Sequence, residues 1–287
     1  MVDGSRGERE CLRRRRAART PERCLEMNSL VCIAYVPDTE TKIKIAADGK
    51  SIDESDVKWI VSPYDEFALE EALKIKEAKG AGTVTVVTVG PERAKTGLRE
   101  CLARGADEAI WIDSGDSRYL DALAIAKALA AVAKQGSYDF YWFGQKGVGA
   151  DESLVGPMAA ELIGVPHVGN VIKLEVGEGK VTAHREIEGA HEVVECQLPA
   201  VLTAQKGLNE PRYASLKGIM GAKKKPVAEK KLADLGIPEA DPAKAKVRWR
   251  KLELPPPRQA CKMIPADDPV AAGKELVRLL REEAKVI

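Results

Sequence analysis

Apolar and polar positions alternate along the chain in two rhythms, short apolar runs and longer amphipathic stretches. Residues 30–36 form a short apolar run and predict the first buried strand, closed by Pro37, Asp38 and Thr39. Residues 42–45 alternate and, with Asp48-Gly49 as a turn, predict a hairpin excursion, after which 57–61 returns to the sheet. Ser62-Pro63-Tyr64-Asp65 then predicts a helix start. Ser62 can cap, Pro63 suits the first helical position, and Asp65 sits where a negative charge opposes the helix dipole. Tyr64, Ala68, Ala72 and Ile75 share one face of that helix to about Lys79. A β-branched strand at 83–89 ends at Gly90-Pro91, a helix runs to Arg104 with Gly105 as its stop, and 109–112 is the next strand. An alanine-rich helix at 120–134 follows. Strand and helix alternating at this spacing predict parallel βαβ units, hence an α/β fold with a doubly wound, mostly parallel sheet.

The next strand carries Tyr138, Phe140, Trp142 and Phe143 and breaks at Gly144. A loop with Gly147, Gly149 and Ala150 opens into a short helix that ends at Gly164. Such a turn is where an α/β sheet places a phosphate-bearing ligand: small residues let backbone N–H groups approach, and the helix N-terminus favours an anion. The stretch lacks the Gly-Lys-Ser/Thr ending of a Walker loop, and G-x-x-G-x-G is not the dinucleotide fingerprint. A glycine-rich turn without a ligand is the alternative reading. Beyond Gly164, residues 167–174, 180–187 and 192–197 alternate around a Gly177-Glu178-Gly179 turn, predicting an antiparallel excursion, and 198–204 predicts one more core strand. Residues 226–265 are rich in proline and charge, with Pro255-Pro256-Pro257 as a stiff spacer. Asp268-Pro269 caps a final amphipathic helix carrying Val270, Leu276, Val277 and Leu280.

Composition narrows the function classes. A chain of 287 residues buries one large core, or one core and an appendage, and its net charge of +1 gives no pull toward nucleic acid or an anionic membrane. Six cysteines without a CxxC argue against a disulfide framework and a zinc site and fit a reducing compartment, the cytoplasm. His167, His184 and His191 show no metal-ligand spacing, so no metal is expected, and no apolar run spans a membrane. No nucleophile–base pair or paired carboxylates suggest bond-making chemistry, so no catalytic residue is assigned. Residues 1–27 read as a disordered extension, either native or the product of a mis-set start ahead of Met27, with nucleic-acid affinity of the Arg13–Arg16 run as a lesser alternative.

Several segments together resemble the β subunit of electron transfer flavoproteins, from about Asn28 to the C-terminus. They are Ser62-Pro63-Tyr64-Asp65-Glu66 with the following ALEEA, the loop at 144–156, Arg185-Glu186-Ile187-Glu188-Gly189, Leu198-Pro199-Ala200-Val201, and LNEPRYASLKGIMGAKKKP at 208–226. The resemblance implies a nucleotide-binding α/β domain at 28–226, of the adenine nucleotide alpha-hydrolase-like kind. It also implies an arm and helix at 227–287 that pack on an α subunit, with the redox FAD shared between the two subunits of a heterodimer. It implies a nucleotide in the crevice of this chain, AMP in ordinary members and a second FAD in electron-bifurcating ones. Pro37-Asp38 resembles the bifurcating type and the LNEPRY segment the ordinary type.

By the same resemblance the nucleotide pocket comprises Cys32, Pro37, Asp38, Ser62, Pro63, Tyr64, Asp65 and Val89, and the loop Gly144, Gln145, Lys146, Gly147, Val148, Gly149, Ala150, Asp151, Glu152, Ser153, Leu154 and Val155. Of the two carboxylates in the family's loop pattern only Asp151 remains here. Partner recognition falls to a loop at 204–226, with Leu208, Asn209, Glu210, Pro211, Arg212, Tyr213, Lys224 and the anchoring Leu216, and to Glu186. The implied function is an electron carrier without bond-making chemistry. It would pass electrons from acyl-CoA or other dehydrogenases to a membrane quinone oxidoreductase, as in fatty acid β-oxidation. A bifurcating oxidoreductase that takes hydride from NADH, and a stand-alone adenine-nucleotide-binding protein, are the alternatives.

Overall fold

The computed structural model of the chain describes residues 26–115, 120–237, 245–247, 249–258, 260–265 and 267–287. The extension expected over 1–27 therefore falls, for residues 1–25, outside the described residues. The rest divides into two compact units, one up to Lys251 and one from Leu252.

The first unit is built on a large sheet with a parallel centre. There β1 (Ser29–Cys32) lies between β4 (Val84–Gly90) and β6 (Phe140–Gly144), with β5 (Glu108–Asp113) outside β4 and β10 (Ala200–Ala204) outside β6. β7 (His167–Val176) runs parallel to β10, and β8 (Lys180–Ile187) and β9 (Ala190–Gln197) continue from it as an antiparallel meander. With β11 (Val227–Lys231) at the far edge, the order is β11-β5-β4-β1-β6-β10-β7-β8-β9. The expected fold class and excursion are thus present.

Side chains alternate across the sheet, and the helices cover both faces. Val31, Val86, Phe140, Trp142 and Leu202 face a core with Leu69 and Leu73 of α1 (Pro63–Lys79) and Leu98 and Leu102 of α2 (Ala94–Arg104). Leu30, Val87, Tyr141, Phe143 and Val201 face a second core with Ala126 and Leu129 of α3 (Ala122–Ala133) and Ala159 and Ile163 of α4 (Val155–Ile163). Each buried large side chain contributes roughly 1.5–3 kcal/mol, which is why strands with two apolar faces are stable only inside such a sandwich. The chain crosses to one side of β1 through α1 and to the other through α3, so the order reverses between β1 and β6.

Four local expectations are corrected. Residues 30–36 are not one strand: the main sheet keeps only Ser29–Cys32, and β2 (Tyr35–Pro37) pairs antiparallel with β3 (Trp59–Val61) as a separate ribbon. The run breaks because the Ala34 N–H turns to the Asp65 carboxylate and the Ala34 carbonyl accepts from the Ser62 N–H. For the same reason 57–61 does not return to the main sheet. Ser62 does not cap α1 through its side chain; its buried Oγ has no hydrogen-bond partner, and its carbonyl accepts from the Asp65 and Glu66 N–H groups. Finally, β11 lies within the stretch read as proline- and charge-rich, yet it is a strand parallel to β5. Between β10 and β11 lies the short helix α5 (Leu216–Ala222), whose cap is the Ser215 hydroxyl accepting from the Gly218 N–H.

The second unit is built on α6 (Pro269–Glu282), capped as expected by Asp268, which accepts from the Val270 N–H at 2.9 Å. Its Val270, Leu276 and Val277 are exposed.

Candidate functional site

A cavity of ≈ 310 Å³ opens at the carboxyl ends of β1 and β6, where the strand order reverses. Its floor is made by the start of α1. Asp65 turns inward rather than toward solvent, and its carboxylate accepts from the Ala34 N–H and the Gly144 N–H, both at 2.7 Å. One side chain thus clasps the ends of the two strands that flank the crevice. Asp65 is only 5% exposed. Burial pushes its carboxyl up to about 7, against the two N–H donors that favour the charged form. Burial, and then the charge of Asp65, also raise the Cys32 thiol well above its ordinary value. Gly144 has no substitute here: a Cβ on it would lie 2.5 Å from Asp65 Oδ1 and 2.7 Å from Tyr64 Cβ.

The loop from Gly144 to α4 forms the second wall. The Gln145 N–H is tied to the Ala204 carbonyl of β10 at 2.9 Å, and the Asp151 N–H closes a turn on the Gly147 carbonyl at 2.9 Å. Gly149 has φ 99°, and Asp151 and Ser153 have φ 53° and 54°. Two residues other than glycine held in the left-handed region cost on the order of 1 kcal/mol each, and such strain gathers at ligand-binding loops. Lys146 reaches Asp151 Oδ1 at 3.2 Å.

Of the residues expected at a nucleotide pocket, Cys32, Asp65, Val89, Gly144, Gln145, Lys146, Gly147, Val148, Ala150, Glu152, Ser153, Leu154 and Val155 line this cavity. Pro37, Asp38, Ser62, Pro63, Tyr64, Gly149 and Asp151 do not. Pro37 belongs to the β2–β3 ribbon, and Asp38 is engaged by Lys58 at 2.7 Å. Ser62, Pro63 and Tyr64 support the cavity from the start of α1, and Gly149 and Asp151 lie on the exposed side of the loop.

A third wall is one that sequence reasoning missed. Leu120, Asp121, Ala122, Ile125 and Leu129 at the start of α3, with Val247 and Trp249, complete the lining. Asp121 organises it, because its carboxylate accepts both from the Ala124 N–H at 2.9 Å, as a helix cap, and from the Lys246 N–H at 2.7 Å. An Asp before an alanine-rich run is a legible cap signal; its second role has no local signal at all.

The residues expected to recognise a partner lie elsewhere, against α1 and α2. Asn209 donates to the Phe67 carbonyl and to Glu71 Oε2, both at 2.9 Å. Arg212 bridges the buried Glu70 at 2.8 and 3.0 Å and Glu77 at 2.9 Å. Leu208 is buried beneath them. These anchors fix a segment whose tip faces solvent: Tyr213 is 95% and Leu216 77% exposed, with Ile219 and Met220 beside them. Glu210 and Lys224 are exposed, Pro211 is half-buried, and Glu186 is on β8 in register with His191 of β9.

Comparison with known proteins places the chain among relatives. A family profile described as "Electron transfer flavoprotein domain" matches residues 50–235. The chain is 42% identical over 262 residues to "Electron transfer flavoprotein subunit beta" of Bacillus subtilis, covering 91% of this chain and 100% of that one. It is 36% identical to the protein of that name from Syntrophomonas wolfei (91% and 99% covered) and 34% identical to the one from Mus musculus (88% and 99%).

Proposed function

The chain belongs to the electron transfer flavoprotein β-subunit family, and we propose that it is the β subunit of a heterodimeric electron carrier that holds AMP in the β1/β6 cavity. The observation that carries this reading is the cavity's place and size. It lies at the reversal of strand order, and its ≈ 310 Å³ stands at the small end of the roughly 300–1,000 Å³ range of ligand sites. A mononucleotide suits a cavity of that volume. The lining has the mixed character such a ligand needs: Val89, Ile125, Leu129 and Phe143 offer apolar surface, and Asp65, Gln145, Lys146 and Ser153 offer polar groups.

The redox flavin of this reading, an FAD shared with an α subunit, supplies the electron chemistry. This chain's residues position and recognise. Leu216 and its exposed neighbours form a small apolar knob on a segment anchored by Arg212, a design suited to brief docking on dehydrogenases such as acyl-CoA dehydrogenases and on a membrane quinone oxidoreductase. No helix of the described residues is long and apolar enough to cross a membrane. The carrier of this reading works in the cytoplasm, the reducing compartment that six cysteines without a CxxC fit. The uncovered face of α6 offers Val270, Leu276 and Val277 to the α subunit, which favours the heterodimer over a stand-alone adenylate-binding protein.

Co-expression with an α-type flavoprotein subunit and anaerobic titration with NADH test the reading. A carrier shows one flavin per pair and no bleaching by NADH; two flavins per pair with rapid bleaching establish the bifurcating alternative instead.

A further inference from the structure

The two backbone N–H groups that flank the crevice are the ones an anionic ligand would ordinarily use. At the carboxyl ends of parallel strands beside a reversal of order, free N–H groups point into the site and attract phosphate. Here both are taken. The Ala34 N–H is held by Asp65 Oδ2 and the Gly144 N–H by Asp65 Oδ1, each at 2.7 Å. No cation pairs with this carboxylate among the described residues, so its ionised form rests on these two donors alone. The niche is also full: the Cβ position of Gly144 is already within 2.5 Å of Asp65 Oδ1. A buried, unpaired carboxylate is costly, and an apolar or hydroxyl side chain at the same place would be cheaper for the fold.

We propose that Asp65 is the specificity-determining residue of the cavity, a built-in anion that occupies the anion niche between β1 and β6 and so excludes a ligand's phosphate from that end. The phosphate is sent instead to the loop wall, where Lys146 lines the cavity and the chain enters α4. Each Asp65 oxygen spends one lone pair on a backbone donor and keeps another. The end of the ligand facing Asp65 is therefore the one that carries neutral donors, a ribose hydroxyl or a base amino group. This inference rests on the nucleotide reading above, but its test does not.

The test is isothermal titration of the full chain with inorganic phosphate at pH 8, where Asp65 is ionised, comparing wild type with Asp65→Ala. Wild type is expected to bind phosphate weakly and the variant, with two N–H groups released, to bind it at least roughly tenfold more tightly. A folded Asp65→Ala chain with no gain, or a wild type that binds phosphate equally well, overturns the proposal. Should Asp65→Ala fail to fold, amide NMR of the unmodified chain decides. Added phosphate must move the amide signals of 146–150 and leave those of Ala34 and Gly144 in place; movement of Ala34 and Gly144 overturns the proposal. A wild-type chain that binds no AMP would sink the nucleotide reading and leave the phosphate comparison standing.

Discussion

Replacing Asp65 by asparagine removes one titration while keeping the side chain's shape, and the consequence for stability against pH can be worked out. Burial lifts the Asp65 carboxyl to about 7 in the folded chain, whereas an Asp in an unfolded chain titrates near about 3.9. The folded state therefore keeps a proton between about pH 4 and 7 that the unfolded state has already released. A carboxyl raised in this way stabilises the fold least where it must be ionised, so stability falls as pH rises through this window, by about 1.4 kcal/mol per pH unit. From pH 5 to pH 8 the loss is about 3 kcal/mol, most of it before pH 7. In Asp65→Asn the amide would keep one N–H acceptor and set its NH₂ against the other N–H, a constant penalty of about 1–3 kcal/mol with no slope. Urea unfolding of both proteins at pH 5, 6, 7 and 8 isolates the effect as the stability of wild type minus that of the variant. That difference should fall by about 3 kcal/mol from pH 5 to pH 8. A difference that stays flat, or grows with pH, would refute the reasoning, because it would mean that the two N–H donors outweigh desolvation.

Three further outcomes follow from the same geometry. Gly144→Ala forces a methyl to within 2.5 Å of Asp65 Oδ1 and should cost about 1–3 kcal/mol in urea unfolding. Arg212→Ala strands the buried Glu70 and should cost on the order of 3 kcal/mol, with hydrogen exchange rising across 208–215. Leu216→Asp, on an exposed tip, should leave stability within about 0.5 kcal/mol of wild type. In the same variant, dye reduction coupled to a dehydrogenase should fall steeply; an unchanged rate would remove Leu216 from the docking surface.

Much of the fold was legible because its signals are local and repeated. Two-faced apolar strands such as the one ending in Trp142 and Phe143, and helices bounded by Pro63 and Gly105, leave few arrangements other than a doubly wound sheet. The loop from Gly144 was legible as a strand-to-helix turn for the same reason, and it lines the cavity. The role of Asp65 was not, since an Asp in a first helical turn looks like a dipole partner whether it faces water or core. Its inward turn depends on Ala34 and Gly144, which are 31 and 79 residues away in sequence. Trp249 and β11 were hidden by composition: a proline- and charge-rich stretch reads as surface, and only the docking of Lys246 on Asp121 and the pairing of Val227 with Ala109 bring it to the domain.

A nucleotide lodged between the ends of β1 and β6 is the claim on which the proposed function turns. Acid release and chromatography of whatever the purified full-length chain carries test it most directly. About one AMP per chain is expected, released together with the fold, a one-to-one stoichiometry of the kind one ligand per β1/β6 cavity imposes. A chain that folds fully yet yields no adenylate, and gains none when AMP is added back, would contradict it.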